Sequence, residues 1–254
     1  MKSQSQQQSA RISPLQLAQQ TLQRLRAAGN GRVAAQSSVY FKAHEQVAFF
    51  GVGTPELRRI ERELYQQVKG QWTVQDALAF CELLIRDQRQ EAKTAGLLLL
   101  ARYHKTFERD LLARFEDWLR NDCCNNWALT DALGTFVIAL YLRRFPEALS
   151  QVTDWTEAEN LWLRRAAAVS LVPLARKGER LADAYVIAER LFKYPEDLIH
   201  KATGWLLREA GKADLPRLKK FLLRHGTRIP RTTLRYAIER FPEAARKQLL
   251  AQTR

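Results

Sequence analysis

Apolar side chains recur along this chain at helical rather than strand spacing. Leu57, Ile60, Leu64 and Val68 stand at i, i+3, i+7 and i+11, and Leu215, Leu218, Leu222 and Leu223 form a similar stripe near the other end, the pattern of amphipathic helices laid on a core. The 11 glycines and 8 prolines are read as falling between such stretches, as punctuation does in a helical protein. Ser13-Pro14, Thr54-Pro55 and Asp214-Leu215-Pro216 read as helix starts, with a capping side chain at or just ahead of a proline whose φ is already helical. No Asn-Gly or Asp-Gly between alternating runs announces a hairpin. The spacing predicts about twelve helices of roughly 10 to 18 residues joined by short loops, and essentially no sheet.

The helices repeat. QEAKTAGLLLLARY, WALTDALGTFVIAL, RRAAAVSLVPLARK and HKATGWLLREAGK align on Ala92, Leu129, Ala166 and Ala202, in steps of 37, 37 and 36 residues. That period is one helix-turn-helix unit of a stacked α-repeat of the HEAT or armadillo kind. The expected fold is therefore all-α, a curved α-solenoid occupying residues 13–254 as one domain, with one helix of each repeat lining a concave surface. Residues 1–12, a Gln/Ser-rich stretch, are expected to be a frayed polar tail. They lack the apolar core of a secretory signal, and with Lys2 and Arg11 as their basic residues they match an organellar leader poorly.

Charge narrows the class of partner. Forty-one Lys and Arg against twenty-seven Asp and Glu leave +14, which favours a polyanion, nucleic acid before an anionic membrane surface. No uncharged apolar run approaches the ~20 residues of a membrane span. Cys81, Cys123 and Cys124 give neither a disulfide framework nor a metal-ligand spacing, which fits a reducing cytosol. From residue 213 onward eleven Lys and Arg face three acids, an excess of +8. Arg217, Arg224, Arg228, Arg231 and Arg235 stand 7, 4, 3 and 4 apart, a phosphate-tracking stripe if the break at Gly226 and Pro230 permits it. A solvated basic end is the plainer reading of the same run.

Placing Ala128, Arg165 and Lys201 at one equivalent position of the repeat sets Trp127 at −1, Asp131 at +3, Arg165 at 0 and Trp205 at +4. At 100° per residue these four fall within about 140° on helices of three successive repeats, and Trp127 and Asp131 are i, i+4 neighbours. Two indoles, a carboxylate and a guanidinium facing one groove suit cleavage of a glycosidic bond through an oxocarbenium-like state. The plainer alternatives are core indoles and an Asp131 that caps a helix or pairs with Arg165. Trp72, Trp118, Trp155 and Trp162 are assigned to packing. His44, His104, His200 and His225 show no ligand spacing, no phosphate-binding loop occurs, and Cys123 and Cys124 lack a histidine base nearby; no cofactor is expected.

Four segments, FFGVGTPELRRI (Phe49 to Ile60), NWALTDAL (Asn126 to Leu133), NLWLRRAA (Asn160 to Ala167) and KATGWLLRE (Lys201 to Glu209), resemble the HEAT-like repeat alkylpurine DNA glycosylases, the AlkD family of DNA alkylation repair enzymes, over about residues 40 to 240. The resemblance implies removal of N3- and N7-alkylated purines from duplex DNA without extrusion of the base. It would make Asp131 the catalytic carboxylate, Trp127 and Trp205 the indoles that hold the lesion's deoxyribose, and Arg165 the backbone contact. Tyr40 is the nearest match to the family's site-closing tyrosine, though YFKAHEQVAFFG is about two residues longer than the pattern. Asn126 and Ala128 stand where the family has an aromatic and an acidic residue. Lys201, Arg208, Arg228 and Arg231 complete the expected DNA-contacting set. The chain is expected to act as a cytoplasmic monomer without membrane association. Rival readings are a non-catalytic DNA-structure binder on the same scaffold and a scaffold for an acidic protein.

Overall fold

The structure, a computed structural model, describes residues 11–41 and 47–253. The expected tail lies largely outside them, with Arg11 and Ile12 as its described members. The chain divides into two compact units, Met1–Thr106 and Phe107–Arg254. The described residues are helical, apart from short connections and one isolated bridge between Ala48 and Arg89. No described helix is long and apolar enough to cross a membrane, and no described cluster of His, Cys, Asp and Glu could hold a metal ion.

In the first unit α1 (Pro14–Ala28), α3 (Thr54–Val68), α4 (Val74–Ile85) and α5 (Gln90–Arg102) pack together, and α2 (Gly31–Ser38) buries none of its residues. Ser13 forms a capping box with Gln16 at the start of α1, as its position before Pro14 implies. The second expected cap is displaced: Gly53 precedes α3, Thr54 is its first residue, and no side chain caps this end. Burial of Leu57, Ile60, Leu64 and Val68 follows the predicted stripe. Glu91, inside α5, is also buried and accepts three backbone N–H bonds, from Phe50 at 3.0 Å, Gly51 at 2.8 Å and Val52 at 3.0 Å. Those bonds offset the cost of sequestering its charge and fix the loop that enters α3.

In the second unit the equivalent helices form one layer. A helical run of α7 (Trp127–Ala132), a π-helical segment (Leu133–Ile138) and α8 (Ala139–Arg144) packs on α10 (Leu161–Ala175), α10 on α12 (Asp197–Ala213), and α12 on α14 (Arg231–Ala237). Ahead of these helices in sequence come α6 (Leu111–Arg120), α9 (Leu149–Asp154), α11 (Leu181–Leu191) and α13 (Leu215–His225), which pack against them. A final helix, α15 (Glu243–Gln252), meets α13. Ala92, Leu129, Ala166 and Ala202 are all buried on the repeating helices, so the 36–37-residue step reflects a recurring helix contact.

Glycine and proline do not stay between the helices. Pro173 lies within α10, and glycine occurs where helices touch. A Cβ on Gly134 would come 2.6 Å from Val169 Cγ2 and 3.2 Å from the Ser170 backbone nitrogen on α10, and one on Gly204 would come 2.4 Å from Tyr236 Cβ on α14. These absent side chains set how closely successive helices of the layer approach. Trp72, Trp118 and Trp155 are buried as packing residues; Trp162 is only half-buried.

Candidate functional site

Asp131 sits in the last turn of α7, whose start is fixed by Asn126. That buried side chain accepts from the Leu129 N–H at 3.0 Å, so the departure from the family pattern at this position supplies a helix cap. One turn after Trp127, Asp131 shares its helix face. The turn beyond it is π-helical: the Ala139 N–H reaches the Gly134 carbonyl, five residues back, and the Thr135 hydroxyl donates to the Asp131 carbonyl at 2.6 Å. Wide turns of this kind recur at functional sites because they redirect side chains without ending the helix.

Asp131 and Arg165 form a side-on, two-bond ion pair, Nε to Oδ1 at 2.9 Å and Nη2 to Oδ2 at 2.8 Å. The third arm of the guanidinium, Nη1, donates to the Leu198 carbonyl on α12 at 2.5 Å. A single arginine thus ties together three successive helices of the layer. Its side chain is 6% exposed, against 17% for Asp131. Burial pushes the Asp131 carboxyl above its ordinary value, and the charge and hydrogen bonds of Arg165 work against that rise.

Lys201 stands one turn after Leu198, close enough to feel the Arg165 charge, and its bond to Asp197 (2.8 Å) holds the ammonium above its usual range. Trp205 follows one turn later. Leu198, Lys201 and Trp205, spaced i, i+3 and i+7, occupy one side of α12. Trp127 and Trp205 are both half-buried, unlike the three core indoles. Tyr236, whose Cβ neighbours Gly204, adds a partly exposed aromatic beside this stretch of α12. Sequence spacing did not single it out, because its helix begins after an irregular Gly-Pro break.

The other expected contacts are placed differently. Arg208, later on α12, is ion-paired with Glu239 and lies 3.5 Å from Glu209. Arg231 opens α14 and points its guanidinium at the Leu250 and Thr253 carbonyls, at 3.4 and 3.5 Å. Arg228 lies in the 3-10 turn after α13, 3.4 Å from Glu189 of α11. The predicted arginine stripe is therefore divided: Arg217 and Arg224 belong to α13 in the flanking layer, Arg231 and Arg235 to α14 in the Asp131 layer. The reason is the reversal at Gly226, whose φ of 48° turns the chain between them. Tyr40, in the first unit, is 77% exposed. Cys124 is buried and Cys123 half-buried.

A model of the DNA alkylation repair enzyme family matches residues 21–241. A solved structure described as a "Predicted DNA alkylation repair enzyme from Enterococcus faecalis" superposes with a TM-score of 0.71, covering 85% of this chain and 97% of that one at 19% identity, a likeness of fold. No curated protein matches the chain. With an all-α repeat architecture and a family match spanning most of its length, the chain belongs to the DNA alkylation repair enzyme family.

Proposed function

We propose that this protein excises N3- and N7-alkylated purines from duplex DNA by hydrolysing the N-glycosidic bond, with the base left in the stack rather than extruded. The observation that carries the reading is the Asp131 carboxylate, held in one orientation by two bonds from Arg165 and still partly open, on the helix face it shares with Trp127. In an alkylated purine the base is already cationic. Heterolysis sends the bonding electron pair to the base, which leaves neutral, and leaves an oxocarbenium ion on the sugar. A fixed carboxylate lowers the energy of that cation. It also orients a water whose oxygen adds to C1′ and whose proton passes to the carboxylate or to solvent.

In this reading Arg165 is a positioning residue. Three of its five N–H groups are committed, to Asp131 and Leu198, leaving two for a phosphate. Trp127 and Trp205 hold the deoxyribose by their faces and edges. Lys201 trades Asp197 for a backbone phosphate, a charge exchange that costs little at a half-exposed site. The protein acts as a cytoplasmic monomer without cofactor, on duplex DNA.

The same ion pair supports a second reading. Both Asp131 oxygens are engaged by Arg165, the arrangement expected if the pair only ties helices together in a DNA-structure binder. Release of 7-methylguanine or 3-methyladenine from methylated duplex separates the two. Wild-type release that Asp131→Asn abolishes, with duplex binding retained, supports hydrolysis; absence of release by a folded, DNA-binding wild type refutes it.

A further inference from the structure

A second cationic and aromatic concavity lies in the α11–α13 layer, apart from Asp131. A cavity of about 260 Å³ is walled by Tyr185 and Glu189 of α11 and by Phe221 and His225 of α13, with Arg217, Lys220 and Arg224 along its rim. A neighbouring cavity of about 600 Å³ shares Val186 and Glu189 with it and brings Arg190, Lys193 and Arg228. The two adjoin at Val186 and Glu189, and together their linings carry six cations against Glu157 and Glu189.

The cations are not equally committed. Arg190, Lys193 and Arg228 each face a carboxylate, Asp154 at 3.7 Å, Glu157, and Glu189 at 3.4 Å, and Arg217 lies 5.0 Å over the Tyr185 ring. Lys220 and Arg224 enter no ion pair among the described residues, although both sit on the exposed edge of α13. The floor is aromatic, with the half-buried Phe221 ring tilted against the buried Tyr185 and His225 rings at centroid distances of 4.7 and 4.3 Å. Two buried polar atoms here, the Tyr185 hydroxyl and His225 Nδ1, make no hydrogen bond, although Nδ1 lies 3.7 Å from the Glu189 carboxylate. The Tyr185 hydroxyl, pushed up to about 12 by burial, keeps its proton and remains a donor.

We infer that this groove binds a segment of single-stranded nucleic acid, with phosphodiesters along Lys220, Arg224 and Arg217 and unpaired bases against the half-buried Phe221 ring and the exposed Val186 side chain. Aromatic platforms bordered by cations are the general solution for unpaired strands. A duplex does not meet those requirements: its bases are stacked inside, and a recess of a few hundred Å³ receives a base or sugar, not a helix. The exposed apolar side chain of Val186, which lines both cavities, extends the surface that bases would cover. This inference does not depend on the excision reading.

The test is fluorescence anisotropy with the full chain and fluorescein-labelled oligothymidylate, an abasic oligomer of equal length, a duplex, and polyglutamate. Expected are binding of oligothymidylate that weakens at least tenfold in Lys220→Glu/Arg224→Glu, binding of the abasic oligomer about tenfold weaker than that of oligothymidylate, and no change for Asp131→Asn. Base release from methylated duplex by Lys220→Glu/Arg224→Glu should stay at the wild-type rate, so failure here is distinct from failure of excision. The inference is overturned if that double variant binds oligothymidylate as wild type does, if it loses duplex and single strand equally, or if polyglutamate occupies the site as tightly.

Discussion

Replacing Asp131 by Asn keeps the shape of the side chain and removes its charge. Arg165 is then left 6% exposed with a cation facing an amide. One of its two bonds survives onto the amide oxygen, and the other meets an NH2 group. Breaking a buried pair by removing one partner typically costs about 3–5 kcal/mol. The burial that raises the Asp131 pKa already penalises its charge in the folded chain, so relief of that desolvation offsets most of this cost and about 1 kcal/mol of loss is the upper bound, or roughly 2–4 °C in melting temperature for a chain of this length. Loss of an electrostatic stabiliser should independently slow the chemical step about 10²–10³-fold. Melting curves establish the first figure, and single-turnover release of 7-methylguanine, measured well below the lowered melting point with duplex binding followed in parallel, establishes the second. The ionised carboxylate is the active form and burial raises its pKa, so the wild-type rate should climb with pH through a value above 3.8 and then level off. Arg165→Ala should move that limb further up. A folded Asp131→Asn protein that excises at the wild-type rate would refute the mechanism.

Three further outcomes follow from the packing and charge described above. Gly134→Ala forces a Cβ to 2.6 Å from Val169, so the π-helical segment and α10 must part; a loss of about 1–3 kcal/mol is expected by chemical denaturation, with excision impaired more than duplex binding. Glu209, 2% exposed, meets Arg176 and Lys212 at 2.7 Å each; although burial opposes it, these bonds hold its carboxyl below 4.5. The unfolded chain therefore binds the proton more tightly, and the contribution, about 1–2 kcal/mol after allowing for the exposure of both cations, is full above pH 4.5 and lost as pH falls through the folded value. The stability gap to Glu209→Gln should accordingly close on acidification. Lys201→Ala should weaken duplex binding uniformly across sequences and reduce the slope of log K against log salt by about 0.9.

The repeat was legible because it is written in positions that cannot vary freely: Ala92, Leu129, Ala166 and Ala202 all sit where helices press together. The meeting of Asp131 with Arg165 was likewise within reach of helical periodicity across equivalent repeats. Periodicity cannot report which bonds a side chain makes, so it left open whether the two would pair, and the Leu198 carbonyl, a backbone acceptor, carries no residue-type signal. The divided arginine stripe shows a similar limit. Spacings of 7, 4, 3 and 4 hold on a continuous helix, and a positive φ at Gly226 ends that continuity. Glu91 was passed over because a carboxylate in an apolar helix normally faces water; here three loop N–H groups supply the solvation instead.

The π-helical segment after Asp131 has one more consequence. In an unbroken α-helix the eleven residues from Asp131 to Leu142 would bring the two side chains to nearly the same azimuth, setting a buried leucine in line with the carboxylate. The wide turn absorbs about one extra residue, some 100° of phase, so the front of the rod and its rear answer to different neighbours. Deleting one residue between 133 and 138 would remove the wide turn and leave everything downstream on its present bearing, whereas closing the turn at full length would set the leucine in line with the aspartate.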